Sequence, residues 1–208
     1  LPLLLCLLTT SLFSQSQGDA KTAKGAAEIE AKVIEWRHHL HENPELSNRE
    51  FETAKYVEQH LRSLGMEVRT GVAYTGVVGI LKGDKPGGVI ALRADMDALP
   101  VTEIVDLPYA SKVKTTYLGK DVGVMHACGH DTHVAMLMGA AELLSKRKSE
   151  IEGTVIFIFQ PAEEGAPKEE GGGAKMMVKE GVLTDYKVET AFGIHINSQT
   201  PVGHVNYK

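Results

Sequence analysis

Between His126 and His133 the chain places a thiol, three imidazoles and a carboxylate: His126-Ala127-Cys128-Gly129-His130-Asp131-Thr132-His133. Farther along, two adjacent carboxylates, Glu163 and Glu164, follow an apolar run, and a further imidazole, His195, closes another. Thiolate, imidazole and carboxylate together are the donors that a borderline-soft divalent ion takes. A spare carboxylate beside an activated water is what hydrolysis needs. The set predicts a metal-dependent hydrolase.

Each candidate has a plainer reading beside it. Cys128 and His130 flank a glycine, so a tight turn would bring both side chains to one ion; the alternative is a buried cysteine among capping residues. Glu163 and Glu164 point in different directions as neighbours, so one can bind an ion while the other takes a proton. Asp95 and Asp97 lie two apart and share a face if extended, able to ligate, to orient a base or to stabilise a turn. Asp131 is expected to cap the helix that follows it. His126 and His133 are expected to support the ligands or the fold rather than bind the ion. His38, His39 and His41 sit at a helix C-terminus, where the dipole favours cations, and are expected to be structural. A nucleophile elbow, a phosphate-binding loop and a dinucleotide fingerprint are all missing from the sequence.

The elements that must carry these groups follow from periodicity. Ile29, Val33, Trp36 and Leu40 have helical spacing ending before Asn43-Pro44, and Ala54, Val57, Leu61 and Leu64 mark a second helix stopping at Gly65. Ser47 and Glu50 have the spacing of a capping box for it. Strands are predicted over 75–81, 89–94, 154–160 and 190–196, and helices over 132–146 and 174–179. Pro167 to Gly173 reads as a loop. The alternation predicts an α/β fold with a mostly parallel central sheet flanked by helices. Three strands then deliver Asp95 and Asp97, Glu163 and Glu164, and His195 to their carboxyl ends, where ligands collect in open α/β sheets.

The chain has 208 residues, 43% hydrophobic and 24% charged, the balance of a globular domain. Its net charge of −5, with no basic stripe, gives no electrostatic case for nucleic acid. Leu1 to Gly18 has a short apolar core and then small polar residues, which predicts a secretory signal peptide and an exported, periplasmic or secreted protein. That core is too short to span a bilayer, so no stable membrane association is expected. Cys6 lies inside the segment, leaving Cys128 as the remaining thiol of residues 19–208.

Four motifs in order, Asp95-Met-Asp97-Ala-Leu-Pro100, His126-Ala-Cys128-Gly-His130-Asp131-x-His133, Gln160-Pro-Ala-Glu163-Glu164-Gly and Phe192-Gly-Ile-His195, resemble those of the aminoacylase/carboxypeptidase-type metallopeptidases. With Trp36-Arg-His-His-Leu-His41-x-Asn-Pro44-Glu45-Leu46 they resemble more narrowly the amidohydrolase branch that contains hippurate, N-acyl-amino-acid and indole-acetyl-amino-acid hydrolases. The resemblance spans about residues 27 to 208 and implies a zinc-peptidase-like catalytic domain. It implies two divalent ions, zinc or manganese first and cobalt or nickel also compatible, held by Cys128, His130, Glu164 and His195, with Glu163 as general base. Where the wider family has His-x-Asp this chain has Asp95-x-Asp97, which leaves Asp97 as an orienting carboxylate. Members of the family are longer. The resemblance therefore implies that 19–208 is the N-terminal part of the catalytic domain, without the lid and dimerisation domain and without a late histidine ligand. The implied activity is hydrolysis of the amide of small N-acyl amino acids, with homodimerisation through the lid. The alternatives are a dipeptidase or aminopeptidase of the same fold, or a catalytically inactive metal-binding relative.

Overall fold

The structure, a computed structural model, describes residues 10–206, with side chains from residue 20 onward. Cys6 and the apolar start of the predicted leader lie outside the described residues; a helix, α1, runs from Thr10 to Glu42. Then follow α2 (Phe51–Ser63), β1 (Glu67–Val72), β2 (Gly76–Lys82), β3 (Lys85–Asp95), β4 (Lys114–Tyr117), β5 (Lys120–Gly123), α3 (His130–Ser145), β6 (Glu152–Gln160), α4 (Gly173–Lys179) and β7 (Thr190–Gly193). Among the described residues no helix is long and apolar enough to cross a membrane.

Five strands make the central sheet in the order β1-β2-β6-β3-β7. β3 pairs in parallel with both β6 and β7, while β2 runs antiparallel to both β1 and β6. Four strands therefore point one way and β2 alone is reversed, so the sheet is mostly parallel in direction. Alternation along β6 builds the two sides. Val155, Phe157 and Phe159 face the core that α1, α2 and α3 cover, and Ile156 and Ile158 face the one that Met177 and Val182 close. Phe157 and Phe159 are completely buried, each worth about 1.5–3 kcal/mol in transfer from water.

Three expectations are corrected at this level. The strand predicted over 190–196 stops pairing at Gly193, so His195 lies on the extended stretch beyond it. The Ser47–Glu50 pair does not cap α2. Glu45 does so instead, its carboxylate accepting the backbone N–H groups of Glu52 at 3.2 Å and Thr53 at 2.8 Å. Ser47 and Glu50 are both buried and turned inward toward other partners. The third concerns elements the periodicity did not mark. β1 is exposed at half its positions and fully buried only at Val72, and the β4–β5 hairpin is short and polar, turning through Leu118 and Gly119 at positive φ.

Candidate metal centre

Because β6, β3 and β7 are neighbours running in one direction, their carboxyl ends lie side by side. Asp95 pairs with Gln160 and Arg93 with Gly193. Past those ends the chain carries Asp97, the Glu163-Glu164 pair and His195. α3 starts at His130, next to the same edge. Its N-cap is Gly129 at φ +86, a conformation that allows the sharp turn between Cys128 and His130.

His130 is the centre of the site and is completely buried. Its Nδ1 is 2.8 Å from the Asp97 carbonyl oxygen and 3.4 Å from Asp97 Oδ1. Both neighbours are acceptors, so Nδ1 carries the proton and donates. Nε2 then presents a lone pair and has no hydrogen-bond partner. Around it stand Asp95 Oδ2 at 3.7 Å, Glu163 Oε2 at 3.7 Å and Glu164 Oε1 at 3.9 Å. A lone pair facing three carboxylates, with none close enough to bond it, is a cavity for positive charge. The same electrostatics raises the His130 pKa: burial opposes the charge, but Asp97 and Asp95 outweigh it.

Two overlapping donor sets meet here. Cys128, His130 and Glu164 offer one atom each, mutually within 4.8 Å, and so do Asp95, His130, His133 and His195. Cys128 Sγ is 3.5 Å from His195 Nε2, and His195 Nδ1 donates to the Ile196 carbonyl at 2.6 Å, leaving Nε2 free to ligate. Sulfur, imidazole and carboxylate are a donor mixture suited to zinc and its first-row neighbours, so the residues fit a divalent ion. Burial and then Glu164 push the Cys128 thiol up to about 11, a field that a bound cation reverses.

His133 has both its nitrogens hydrogen-bonded to groups of the site. Nδ1 donates to Asp95 Oδ1 at 2.6 Å and Nε2 accepts the Ile196 N–H at 3.0 Å. It thus orients Asp95, in keeping with its reading as a supporting residue. Arg93 Nη1 donates to the other Asp95 oxygen at 2.7 Å, and its Nε to Gln160 Oε1 at 2.9 Å. Burial alone would raise the Asp95 pKa; His133, His130 and Arg93 overcome it and hold the acid down at about 2. Asp97 Oδ2 accepts Ser47 Oγ at 2.7 Å and the Glu164 N–H at 2.9 Å, so this residue orients the backbone of Glu164 through its carboxylate and His130 through its backbone carbonyl.

Other imidazoles are elsewhere. Asp131 makes no side-chain cap, contrary to expectation; its Oδ2 accepts Arg37 Nε and His41 Nδ1, each at 2.9 Å, because the buried carboxylate finds two strong donors on α1. His41 Nε2 bonds Glu103 at 3.1 Å and His38 stacks on Tyr109, so the α1 cluster is structural as expected. His126 is buried with neither nitrogen hydrogen-bonded, and burial lowers its pKa to about 4. The sequence reading missed Ser47, Glu50 and Arg93. Arg93 had a signal: it shares a strand face with Asp95, two residues on.

The profile described as peptidase family M20/M25/M40 matches residues 91–208. The chain belongs to peptidase family M20/M25/M40. Within the M20 group it is 52% identical over 184 residues to thermostable carboxypeptidase 2 of Saccharolobus solfataricus, covering 88% of this chain and 44% of that protein. It is 42% identical to the IAA-amino acid hydrolase ILR1-like 4 of Arabidopsis thaliana, covering 98% of this chain and 44% of that one. Among solved structures it resembles a dinuclear metal-binding M20 peptidase of Bacillus subtilis, with TM-score 0.73, 44% identity, and coverage of 85% of this chain and 45% of that one. The M20 chain described here thus spans less than half the length of these relatives.

Proposed function

We propose that the protein hydrolyses the amide bond of N-acyl amino acids or related small amides at a two-metal centre. The observation that carries this is the His130 Nε2 lone pair, buried without a hydrogen bond among Asp95, Glu163 and Glu164. Cys128, His130, Glu164 and His195 would hold the ions, zinc or manganese first, with cobalt or nickel compatible. Bound there, divalent ions supply Lewis acidity toward the scissile carbonyl and the attacking water.

The chain's own groups divide the remaining work. Glu164 belongs to the Cys128–His130 donor set, whereas Glu163 belongs to neither set. Glu163 is also the more open of the pair, its side chain 38% exposed against 24% for Glu164. Glu163 therefore receives the proton from water and delivers it to the leaving amine. Asp97 keeps His130 in the tautomer whose Nε2 faces the ion, and fixes the backbone of Glu164. Relatives named IAA-amino acid hydrolase and N-acetylcysteine deacetylase support an acylated amino acid as substrate. The 52% identity to a carboxypeptidase favours a second reading, peptide substrates, since the last residue of a peptide is itself an acylated amino acid. Export rests on the composition of Leu1–Gly18, and homodimerisation on the family resemblance.

The test is a panel of N-acetyl, N-benzoyl and indole-acetyl amino acids beside free-amine dipeptides, given to the full-length protein with Zn²⁺ or Mn²⁺. Turnover of blocked substrates is expected, and Glu163→Gln should retain its metal while losing at least about a hundredfold in kcat. Glu164→Gln should lose metal. Preference for a free α-amine would move the assignment to a dipeptidase; silence across the whole panel would overturn it.

A further inference from the structure

Glu50 is completely buried, and its carboxylate spans two elements that the chain brings together from far apart. Oε2 accepts the Thr75 hydroxyl at 2.5 Å and Oε1 accepts the Ala162 N–H at 2.9 Å. Ala162 is the residue immediately before Glu163, and its φ of +49 puts it in the left-handed region. A residue with a Cβ is disfavoured there, so something must hold it. Pro161 has no N–H, which makes the Ala162 N–H the first backbone donor available after β6 ends at Gln160. The bend is also held at its far end. The Glu164 N–H goes to Asp97 Oδ2, which Ser47 also bonds. The connection between α1 and α2 thus reaches the Glu163-Glu164 bend twice, directly through Glu50 and indirectly through Ser47.

We propose that Glu50 is a positioning residue for hydrolysis: its buried carboxylate clamps Ala162 in the left-handed conformation and so sets the direction in which Glu163 points. This rests on the assignment of Glu163 as the proton carrier. An acid serves here better than a neutral acceptor because an ionised oxygen makes the stronger hydrogen bond to a backbone N–H. The amide of a glutamine still offers one oxygen to Ala162, whereas a leucine of similar size offers none.

The experiment uses the full-length, metal-loaded protein and the N-acyl amino acid it turns over fastest. kcat, KM and bound metal are measured for Glu50→Gln, Glu50→Leu, Glu50→Asp and Glu50→Leu/Ala162→Gly, with Glu163→Gln as reference. Glu50→Gln should keep kcat within about threefold, while Glu50→Leu should lose roughly tenfold to a hundredfold in kcat with KM and metal content little changed. Glycine adopts positive φ freely, so Ala162→Gly should return part of the rate lost in Glu50→Leu. If Glu50→Leu does not fold, Glu50→Asp carries the test: its carboxylate is one methylene short of Ala162 and should show the same loss confined to kcat. A folded, metal-loaded Glu50→Leu or Glu50→Asp with undiminished kcat would overturn the inference. So would a loss that Ala162→Gly leaves untouched, the mark of a merely structural residue. An undiminished rate in Glu163→Gln would instead overturn the assignment of Glu163 itself.

Discussion

Asp95 and His133 are joined by a 2.6 Å hydrogen bond that uses the imidazole's only N–H, while its other nitrogen takes the Ile196 amide. The pair ties the end of β3 to the first turn of α3 and to the stretch that bears His195. His133→Phe would leave a buried carboxylate oxygen and a backbone N–H without partners. In the metal-free protein it should cost about 2–4 kcal/mol of unfolding free energy, measured by urea denaturation. A change below 0.5 kcal/mol, on the order of an ordinary surface substitution, would mean that Arg93 alone suffices for Asp95.

Gly129 offers a sharper steric test. A β-carbon there would lie 2.0 Å from Ile196 Cδ1, on a backbone at φ +86. Gly129→Ala strains the left-handed Cys128–His130 turn and must push aside the Ile196 side chain next to His195, and both segments carry proposed ligands. Metal affinity should fall by at least about tenfold, read by competition with a chromophoric chelator, while far-ultraviolet dichroism stays that of the parent. Unaltered affinity would show that the two segments can separate without disturbing the donor set.

Glu50 makes stability depend on pH in a defined direction. Burial raises its pKa from an ordinary 4.5 to about 7, against the hydrogen bonds from Thr75 and Ala162, which lower it. Below about pH 4.5 the group is protonated in both the folded and the unfolded chain, and its burial carries no ionic cost. Between 4.5 and 7 the unfolded chain releases the proton first, so stability falls as pH rises, and the loss is complete above 7. Glu50→Gln should therefore match the parent near pH 4 and exceed it by roughly 1–3 kcal/mol at pH 8. Equal stability at both pH values would show that the carboxylate is not desolvated.

Position along the chain made the candidate site residues legible. Asp95, Glu163 and Glu164 stand at or just past the ends of apolar runs, and those runs became neighbouring parallel strands. What the sequence hid were the residues whose partners lie far off. Glu50 has the spacing of a capping box, and nothing local reveals that Thr75 and Ala162 will close around it. Asp131 likewise precedes a helix in the manner of a cap, yet Arg37 and His41 on another helix claim its carboxylate. The Glu45 cap escaped notice because it lies outside the standard three-residue spacing. β1 and the β4–β5 hairpin were missed for another reason: they are mostly polar and exposed, so the period-two signal that marks a half-buried strand is too weak.

The strand order also has a consequence for the sequence of events during synthesis. β7 joins the sheet only beside β3, across a hundred residues of intervening chain, as the pairing of Ile90 with Thr190 shows. Cys128 and His195, 67 residues apart, meet only after that pairing. A nascent chain can therefore close the α1–α3 core and the β2–β6–β3 pairing while its donor set is still open. Such long-range closure is slow compared with helix formation. The polypeptide leaves the ribosome with Cys128, His130 and Glu164 already made, and the proposed ligand set gains His195 only when residues 190–196 emerge, which places completion of the proposed centre after most of the core has closed.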